Sequence, residues 1–331
     1  MSVKKMCSTI SGGCKLLLLL GIFHRTQAAY LRCYKGTTLD NYDEVPLSNA
    51  PLLINSTCLN LGRQTVAMTF GYMGKVDGPF TTAILLAFLA LQTINVILLN
   101  WQKEAQSGIL GPLLSYPGAV TNAKIVGDDT GEAITALVQA GFNVKQLYLL
   151  GFSLGAHVMG YAGKKAKGYG YSVGRISGLD PARALFENTQ NGLDSSSADH
   201  VDVIHTDPGG YGINCSLGTI DFWVNYKGKH STQPGCPNGT YPMFSSEDLC
   251  SHDRCWKLFI ESLQSPTAFP SAFSPDYYTW ATNPASSTRT EYMGYSVNLS
   301  ATGNYFLTTG PTSPYSLGTR GLYPSDNQTT S

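Results

Sequence analysis

The chain has 331 residues, of which 22 are basic and 22 acidic, so its formal net charge is zero. Hydrophobic residues make up 43% of the sequence and charged residues 13%, a balance that excludes an intrinsically disordered chain. The neutral charge gives no support for nucleic-acid binding, and the length allows one large α/β domain or two ordinary ones.

The first 28 residues have the three-part pattern of a secretory signal peptide. Lys4 and Lys5 form a basic start, Leu16 to Phe23 is an apolar core, and Thr26-Gln27-Ala28 supplies small residues at the cleavage site. A membrane anchor is the weaker interpretation, because eight apolar residues are far short of the ~20 that span a bilayer. We therefore expect a secreted, extracellular protein that is cleaved after Ala28 or one residue later.

Strand and helix patterns then alternate, with no internal repeat or low-complexity linker between them. In chain order the sequence predicts a strand at 65–70, a helix at 81–92, a strand at 95–101, a helix at 119–139, a strand at 146–150, a helix at 155–166, strands at 174–179 and 200–205, and a helix at 250–263. This order implies a mostly parallel central sheet with helices on both faces. We expect residues 29–331 to form a single α/β domain.

The cysteines and sequons fit an oxidising compartment. Cys7 and Cys14 lie in the signal segment, and the six cysteines that remain predict three disulfide bonds with 15 possible connectivities. Zinc is a weaker interpretation, because the segment from Cys250 to Cys255 has no matching second pair. Four sequons predict N-glycosylation, at Asn55, Asn238, Asn298 and Asn327.

A G-x-S-x-G motif, Gly151-Phe152-Ser153-Leu154-Gly155, stands between a predicted strand and a predicted helix. The two glycines allow a sharp strand-to-helix turn that projects the hydroxyl of Ser153 above the sheet edge. The motif alone is weak in a chain with 35 glycines, but an apolar strand directly before it and a helix directly after it are what a nucleophile turn requires. We interpret Ser153 as a catalytic nucleophile rather than an ordinary turn residue.

A serine nucleophile needs a histidine base and an acid. Five histidines follow residue 28, and His252, which begins the last predicted helix, best fits the chain order serine, acid, histidine. His157 lies four residues after Ser153 and is expected to point into the core. Asp180 and Asp207 each end a predicted strand and precede a proline, so both are expected at the carboxyl edge of the sheet. The residues alone leave the choice between these acids open.

Five motifs in order resemble the pancreatic-lipase-related family of secreted animal lipases. That family includes triacylglycerol lipases, phospholipases A1 and insect digestive lipases. The motifs are Gly151-Phe152-Ser153-Leu154-Gly155-Ala156-His157, Gly178-Leu179-Asp180-Pro181-Ala182, Val201-Asp202-Val203-Ile204-His205-Thr206-Asp207, Pro234-Gly235-Cys236 and Cys250-Ser251-His252. Residues 303–309 are similar to the family's closing strand. The resemblance runs from Thr65 to Gly318 and implies an α/β-hydrolase fold.

The resemblance also implies a mechanism. The family's acid is the aspartate of its G-L-D-P-A motif, which favours Asp180 over Asp207. Acyl transfer would then use a Ser153–His252–Asp180 triad, with the oxyanion held by the N–H of Leu154, directly after the nucleophile. By the resemblance, the second oxyanion donor is the N–H of Tyr72.

Three departures from the family pattern stand out. Phe70 and Phe152 occupy positions where the family commonly has histidine, and neither change removes a triad member or a backbone donor. In the family's calcium loop this chain keeps Asp194, but has Thr189 and Ser197 where acidic ligands are usual. Calcium needs several oxygen ligands with carboxylates among them, so we expect no metal and no cofactor.

The substrate class depends on the lid. In this family Cys236 and Cys250 would close the lid, which here holds 13 residues, and short lids go with phospholipases A1. The segment from Asp207 to Asp221, which flanks the site, also looks short. Three lid residues are expected to touch lipid: Tyr241, Met243 and Phe244.

The remaining expectations concern pairing, partners and alternatives. Pairing Cys33 with Cys58 would tie down the N-terminal arm and leaves Cys215 with Cys255. The C-terminal β-sandwich of many vertebrate members is expected to be absent, and with it any colipase-type partner. The predicted function is lipid-ester hydrolysis, phospholipase A1 or galactolipid cleavage first and triacylglycerol lipase second. A non-catalytic lipid-binding or storage protein is the alternative from another class.

Overall fold

The fold comes from a computed structural model that describes residues 29–106, 108–284 and 288–325. The predicted signal segment and the sequon at Asn327 lie outside these residues.

Eleven strands in the described residues form one sheet. They are β1 (Tyr30–Tyr34), β2 (Tyr42–Pro46), β3 (Thr65–Thr69), β4 (Asn95–Asn100), β5 (Leu147–Phe152), β6 (Arg175–Leu179), β7 (His200–His205), β8 (Ile220–Val224), β9 (Pro270–Phe273), β10 (Thr290–Tyr292) and β11 (Gly303–Leu307). Their order across the sheet is β10-β9-β11-β8-β7-β6-β5-β3-β4-β1-β2. The seven strands from β11 to β4 are parallel, and antiparallel strands extend both edges.

Helices connect and cover the parallel strands. They are α1 (Pro79–Leu89), α2 (Gln102–Ala105), α3 (Gly111–Gln139), α4 (Leu154–Gly168), α5 (Cys250–Gln264) and α6 (Tyr277–Thr282). The connections β3 to β4 and β4 to β5 run in opposite directions along the sheet, so right-handed crossovers place α1 and α3 on opposite faces. α3 packs on α4, and α1 packs on α5. The result is an α/β-hydrolase fold.

The central strands are largely apolar because both of their faces are covered. Every residue of β3, β5, β6, β7 and β8 is buried, including Arg175 of β6 and Asp202 of β7, which form an ion pair at 2.7 Å. The predicted strand at 200–205 has the observed bounds of β7. Helix α3 begins at Gly111, eight residues before the predicted start, because Pro112 at its first turn is compatible with a helix.

The disulfide pattern departs from the expected three bonds. The structure contains the Cys33–Cys58 and Cys236–Cys250 bonds that were predicted. The predicted Cys215–Cys255 bond is wrong, because both residues are free thiols. Cys255 is buried on α5, where its Sγ donates to the carbonyl oxygen of His252 at 3.1 Å. Cys215 is half-buried, near Glu187 and Asp221. The two thiols therefore lie in different surroundings. The even number of cysteines after residue 28 did not mean that all of them are paired.

Across the described residues, no helix has both the length and the apolar content to cross a membrane.

Candidate active site

Ser153 occupies a strained turn between β5 and α4. Its backbone has φ 55° and ψ −124°, a combination that L-residues rarely adopt. A Cβ added at Gly151 would lie 2.4 Å from the carbonyl oxygen of Gly155, and a Cβ added at Gly155 would lie 2.4 Å from that of Phe70. Both glycines of the motif are therefore required by close backbone approach, as the sequence predicted.

Asp180 follows β6, and its carboxylate has a full set of partners. It is completely buried, with φ 42°. Its Oδ2 accepts a hydrogen bond from Nδ1 of His252 at 2.6 Å. Its Oδ1 accepts from the backbone N–H groups of Thr206 at 2.7 Å and of Asp207 at 3.0 Å. These bonds hold the carboxylate rigidly against the imidazole.

His252 lies in the first turn of α5 and is buried. Burial disfavours its charged form, but the hydrogen bond and charge of Asp180, with the charge of Asp207, outweigh burial and raise the pKa of His252. Because Nδ1 is the proton donor to Asp180, Nε2 is the nitrogen that can accept a proton. This geometry suits a general base.

Asp207, the competing acid, lies beside this pair without a hydrogen bond to His252 in the described residues. Its Oδ2 accepts from the backbone N–H of Tyr211 at 2.7 Å. Burial, with the charge of Asp180, raises the pKa of Asp207 to about 6. One ligand atom from each of Asp180, Asp207 and His252 falls within 4.8 Å of the others, so these are the described residues that could approach a cation together. The Asp180–His252 bond would compete with such a cation.

We expect Asp207→Asn to stabilise the protein in a pH-dependent way. The pKa of Asp207 is about 6 in the fold against an ordinary 3.8, so the fold favours the protonated carboxyl. That contribution is complete below pH 3.8 and is lost as the pH rises through about 6. Asparagine stays neutral and keeps an oxygen for the N–H of Tyr211. Its free energy of unfolding should exceed that of the parent by roughly 1–3 kcal/mol at pH 8, with little difference at pH 4.

Urea unfolding of both proteins at the two pH values measures this effect. Asp199→Asn is the control, because Asp199 forms a surface ion pair with Lys145 and hydrogen bonds that lower the pKa of Asp199 despite some burial. It should give no gain at pH 8. An equal change for Asp207→Asn at both pH values would contradict the prediction.

Ser153 and His252 are not hydrogen-bonded to one another in the part of the chain that the structure describes. A hydrogen bond between nucleophile and base is often absent without substrate and forms in the reactive complex. Phe152, the residue before Ser153, contacts the imidazole: its ring centroid lies 4.8 Å from that of His252 and 4.9 Å from that of Phe80. Phe152, which departs from the family pattern, therefore packs against the imidazole ring.

The loop after β3 lies against Ser153 on the other side. A Cβ added at Gly71 would lie 2.7 Å from Cβ and 3.1 Å from Oγ of Ser153. The backbone at Gly71 therefore lies against the nucleophile, and Tyr72 is the next residue; the assignment of the Tyr72 and Leu154 N–H groups as oxyanion donors stays a prediction. Phe70, the other departure, is buried against Trp101, whose Nε1 donates to the carbonyl oxygen of Phe70 at 3.0 Å.

Of the three lid residues expected to touch lipid, Phe244 lies at the candidate active site. The Phe244 ring lies between those of Tyr72 and Tyr211, with centroid distances of 5.9 and 5.5 Å. Met243 is exposed, and Tyr241 stays within the lid, where its hydroxyl donates to the carbonyl oxygen of Asn238 at 3.1 Å.

Sequence reasoning missed two residues that hold the lid. The Tyr211 hydroxyl donates to the Asp248 carboxylate, whose Oδ2 also accepts from the backbone N–H of Phe244 at 2.9 Å. The Tyr211 ring is also 5.5 Å from that of His252. The one available signal was the position of Tyr211 within the segment from Asp207 to Asp221.

Other predicted residues lie away from the reactive groups. His157 is buried and stacks on Phe186 at 3.6 Å, in agreement with its expected core position. In the calcium-loop segment, Asp194 forms an ion pair with Lys164 at 2.5 Å, so the cationic partner of its carboxylate is a lysine side chain. The sequon asparagines Asn55, Asn238 and Asn298 are exposed.

Similarity to known proteins identifies the family of this chain. The family model described as Lipase matches residues 29–315. The chain belongs to the lipase family. Among its relatives in this family, Lipase member H of Xenopus tropicalis is 36% identical over 225 residues, covering 66% of this chain and 46% of that protein. Pancreatic triacylglycerol lipase of Myocastor coypus is 30% identical over 311 residues, covering 86% of this chain and 65% of that protein.

The lipase relatives also include a protein named as inactive. Inactive pancreatic lipase-related protein 1 of Homo sapiens is 30% identical over 255 residues, covering 71% of this chain and 51% of that protein. This lipase chain thus spans about half to two thirds of the curated relatives it matches. These relatives, with the family model, support the pancreatic lipase family that the motifs predicted.

Solved structures similar to this chain include a dienelactone hydrolase-like phosphotriesterase, P91, with 13% identity and a TM-score of 0.33 over 46% of this chain and 60% of that one. A phospholipase/carboxylesterase from Dyadobacter fermentans has 16% identity and a TM-score of 0.30 over 54% of this chain and 71% of that one.

Proposed function

We propose that this lipase is a secreted serine carboxylic-ester hydrolase that acts on lipids through Ser153, His252 and Asp180. The observation that carries the proposal is the 2.6 Å hydrogen bond between Asp180 and His252 beside a serine held at φ 55°. An acid that fixes the histidine tautomer near a half-buried serine is the arrangement that acyl transfer needs.

The reaction would proceed in two halves. Nε2 of His252 takes the proton of Ser153 as Oγ attacks the ester carbonyl, and the N–H groups of Leu154 and Tyr72 donate to the tetrahedral oxyanion. The imidazolium then protonates the leaving alcohol, which leaves an acyl-serine. Water, deprotonated by His252, releases the fatty acid. Asp180 supports the imidazolium through both halves.

The short lid supports a phospholipase A1-type substrate, cleaved at its first ester, or a galactolipid. Only 13 residues separate Cys236 from Cys250, and Phe244 is the lid side chain that packs on the loop of Tyr72. A small cover leaves room for a polar head group beside the entrance. Triacylglycerol hydrolysis is the second candidate, favoured by the pancreatic triacylglycerol lipase relative.

Secretion is part of the proposal. Two disulfide bonds among the described residues support an oxidising compartment. The exposed sequon asparagines are compatible with N-glycosylation there.

The test compares fatty-acid release from four substrates by purified protein, with Ser153→Ala as the blank. The substrates are phosphatidylcholine labelled at its first or at its second position, a galactolipid and emulsified triolein. We expect release from the first position of phosphatidylcholine or from the galactolipid, with little from triolein. Dominant triolein cleavage would reassign the substrate class. A folded protein that releases nothing would instead support a non-catalytic, lipid-binding role; one relative of this chain is itself named as inactive.

A further inference from the structure

Two aromatic rings from separate parts of the chain contact the imidazole of His252. The ring of Phe152, at the end of β5, has its centroid 4.8 Å from that of His252, with 37° between the ring planes. The ring of Tyr211, in the loop between β7 and β8, is 5.5 Å away at 33°. Rings at these separations and tilts overlap at their faces rather than meeting edge to face. The candidate base therefore lies against two π-faces, a feature that none of the proposed proton transfers uses.

The proposed reaction creates a positive charge at a site with little access to water. His252 is 3% exposed, and it becomes an imidazolium whenever it takes the proton of Ser153. Asp180 faces only one edge of this ring, at Nδ1. A cation within about 6 Å of an aromatic centroid is attracted to the negative face of that ring, and desolvation strengthens the attraction. Phe152 and Tyr211 both satisfy this distance.

Phe152 is the closer of the two rings and is firmly held. It is 9% exposed, its backbone belongs to β5 between β3 and β6, and its ring also packs on that of Phe80 at 4.9 Å. A histidine, the residue common at this position in the family, could itself be protonated and would then repel an imidazolium. Phenylalanine is uncharged at every pH. This departure from the family pattern therefore places a neutral aromatic face beside the base.

Tyr211 is held by two carboxylates. Its N–H donates to Oδ2 of Asp207 at 2.7 Å, and its hydroxyl donates to the carboxylate of Asp248 in the lid. Burial, with the hydrogen bond to Asp248, raises the pKa of Tyr211, so its side chain stays a neutral phenol. A phenol that donates to a carboxylate is polarised towards a more electron-rich ring, which attracts a cation more strongly. Tyr211 therefore supplies a second π-face to the imidazole.

We propose that Phe152 and Tyr211 are positioning residues for His252, whose rings stabilise its imidazolium through cation–π interactions and hold it against Asp180. This inference deepens the proposed function and rests on it, because the imidazolium forms during turnover only if His252 is the base. Phe152 contributes the larger part, since its ring is closer. An aliphatic residue of similar volume at either position would fill the space but would offer no π-face.

The direction of the pH effect separates this role from simple packing. A ring that only excluded water would lower the pKa of His252, so its loss would raise that pKa. A ring that stabilises the imidazolium raises the pKa of His252, so its replacement by leucine lowers that pKa. Leucine also keeps the site apolar. The acid limb of the pH–rate profile should therefore move to lower pH.

Other groups around the imidazole also carry charge or titrate. Among the described residues they are Asp180 after β6, Asp207 and Tyr211 after β7, Asp253 and Cys255 on α5, and Asp248 in the lid. Asp207 has a pKa of about 6 and so titrates in the range of a histidine. Each profile is therefore also recorded in an Asp207→Asn background, which removes that second titration.

Phe152→Leu is the main variant, assayed on a water-soluble short-chain ester. Its kcat should fall by about threefold to thirtyfold with KM little changed, and the acid limb should move down by about 0.5 pH unit or more. Tyr211→Leu should act in the same direction with a smaller effect, and it carries the test if Phe152→Leu does not fold. Tyr211→Phe keeps the ring and should recover most of the kcat lost in Tyr211→Leu.

Phe186→Leu is the matched control. Phe186 is buried and stacks on His157, with 3.6 Å between the ring centroids, so this change removes the same ring from a histidine outside the triad. It should leave kcat within about twofold of the parent and the acid limb in place. An equal loss in Phe186→Leu, or an acid limb that stays in place or rises in Phe152→Leu, would overturn the inference.

An NMR titration of His252 makes the result independent of turnover. The imidazole is followed in protein that contains isotope-labelled histidine, and His252→Gln assigns its signal. Phe152→Leu should lower the pKa of His252, and Phe186→Leu should not. A parent that hydrolyses no ester would overturn the proposed function. The titration would still support the attraction between ring and imidazolium if the pKa fell in Phe152→Leu, and would overturn it if the pKa were unchanged or higher.

Discussion

Replacing Ser153 with alanine should lower kcat for ester hydrolysis by about 10⁵-fold or more. Under the proposed function, the side chain of Ser153 supplies the nucleophile from the strained position between β5 and α4. The fold should tolerate the change, because alanine keeps the Cβ and removes one oxygen. Initial rates on a water-soluble ester, with circular dichroism to verify folding, measure the effect without any contribution from lipid binding.

Ser172→Ala is the matched control for this experiment. Ser172 lies just before β6, at the opposite edge of the sheet, where its hydroxyl donates to Asp199 at 2.7 Å. Its loss should leave kcat within about twofold of the parent, as for surface changes remote from a site. If Ser153→Ala kept its hydrolytic activity and a serine-reactive phosphonate labelled another residue, the nucleophile would be assigned to that residue.

Replacing Asp180 with asparagine should lower kcat by about 10⁴-fold, because an amide no longer fixes the tautomer of His252 or supports its charge. The remaining activity carries a second signature. Asp180 raises the pKa of His252 against the effect of burial, and the reaction needs the neutral imidazole. Without that carboxylate the pKa of His252 falls, so the acid limb of the pH–rate profile should move to lower pH.

Asp207→Asn separates the two candidate acids. Asp207 bonds to the backbone of Tyr211 and not to His252, so its replacement should change kcat by less than about tenfold. The two variants are compared by pH–rate profiles on the same soluble ester. Loss of turnover in Asp207→Asn with survival of Asp180→Asn would reverse the assignment.

Local pattern predicted the elements whose signals lie within one segment of the chain. The turn at Ser153 follows directly from an apolar run and two glycines, and strand β7 follows from the alternating Val201, Val203 and nearby Ile204.

Strand β8 was not predicted, although Asp221 is its one charged residue and its other four residues are apolar. That carboxylate is buried with partners from outside its own strand: Nε2 of His205, on the neighbouring strand, lies 2.8 Å from it, and the N–H groups of Leu217 and Gly218 donate to it at 3.0 and 3.1 Å. A partner on another strand is not visible in a single segment of sequence.

The choice of acid and the thiol pairing show the same limit. The residues left Asp180 and Asp207 open because both end strands before a proline, and a family resemblance was needed to prefer one. The hydrogen bond to His252 depends on where α5 packs over the sheet. Cys215 and Cys255 were paired by counting, whereas their separation is set by tertiary structure.

The contacts of Tyr211 couple the structure of the lid to that of the loop between β7 and β8. Tyr211 binds Asp248, packs on Phe244 and touches His252, so a lid of another length would leave its hydroxyl without a partner and its ring displaced from the histidine. A change in the length of one segment is therefore expected to require a matching change in the other. An engineer who wishes to transplant a longer lid into this scaffold should exchange residues 207–221 together with residues 236–250.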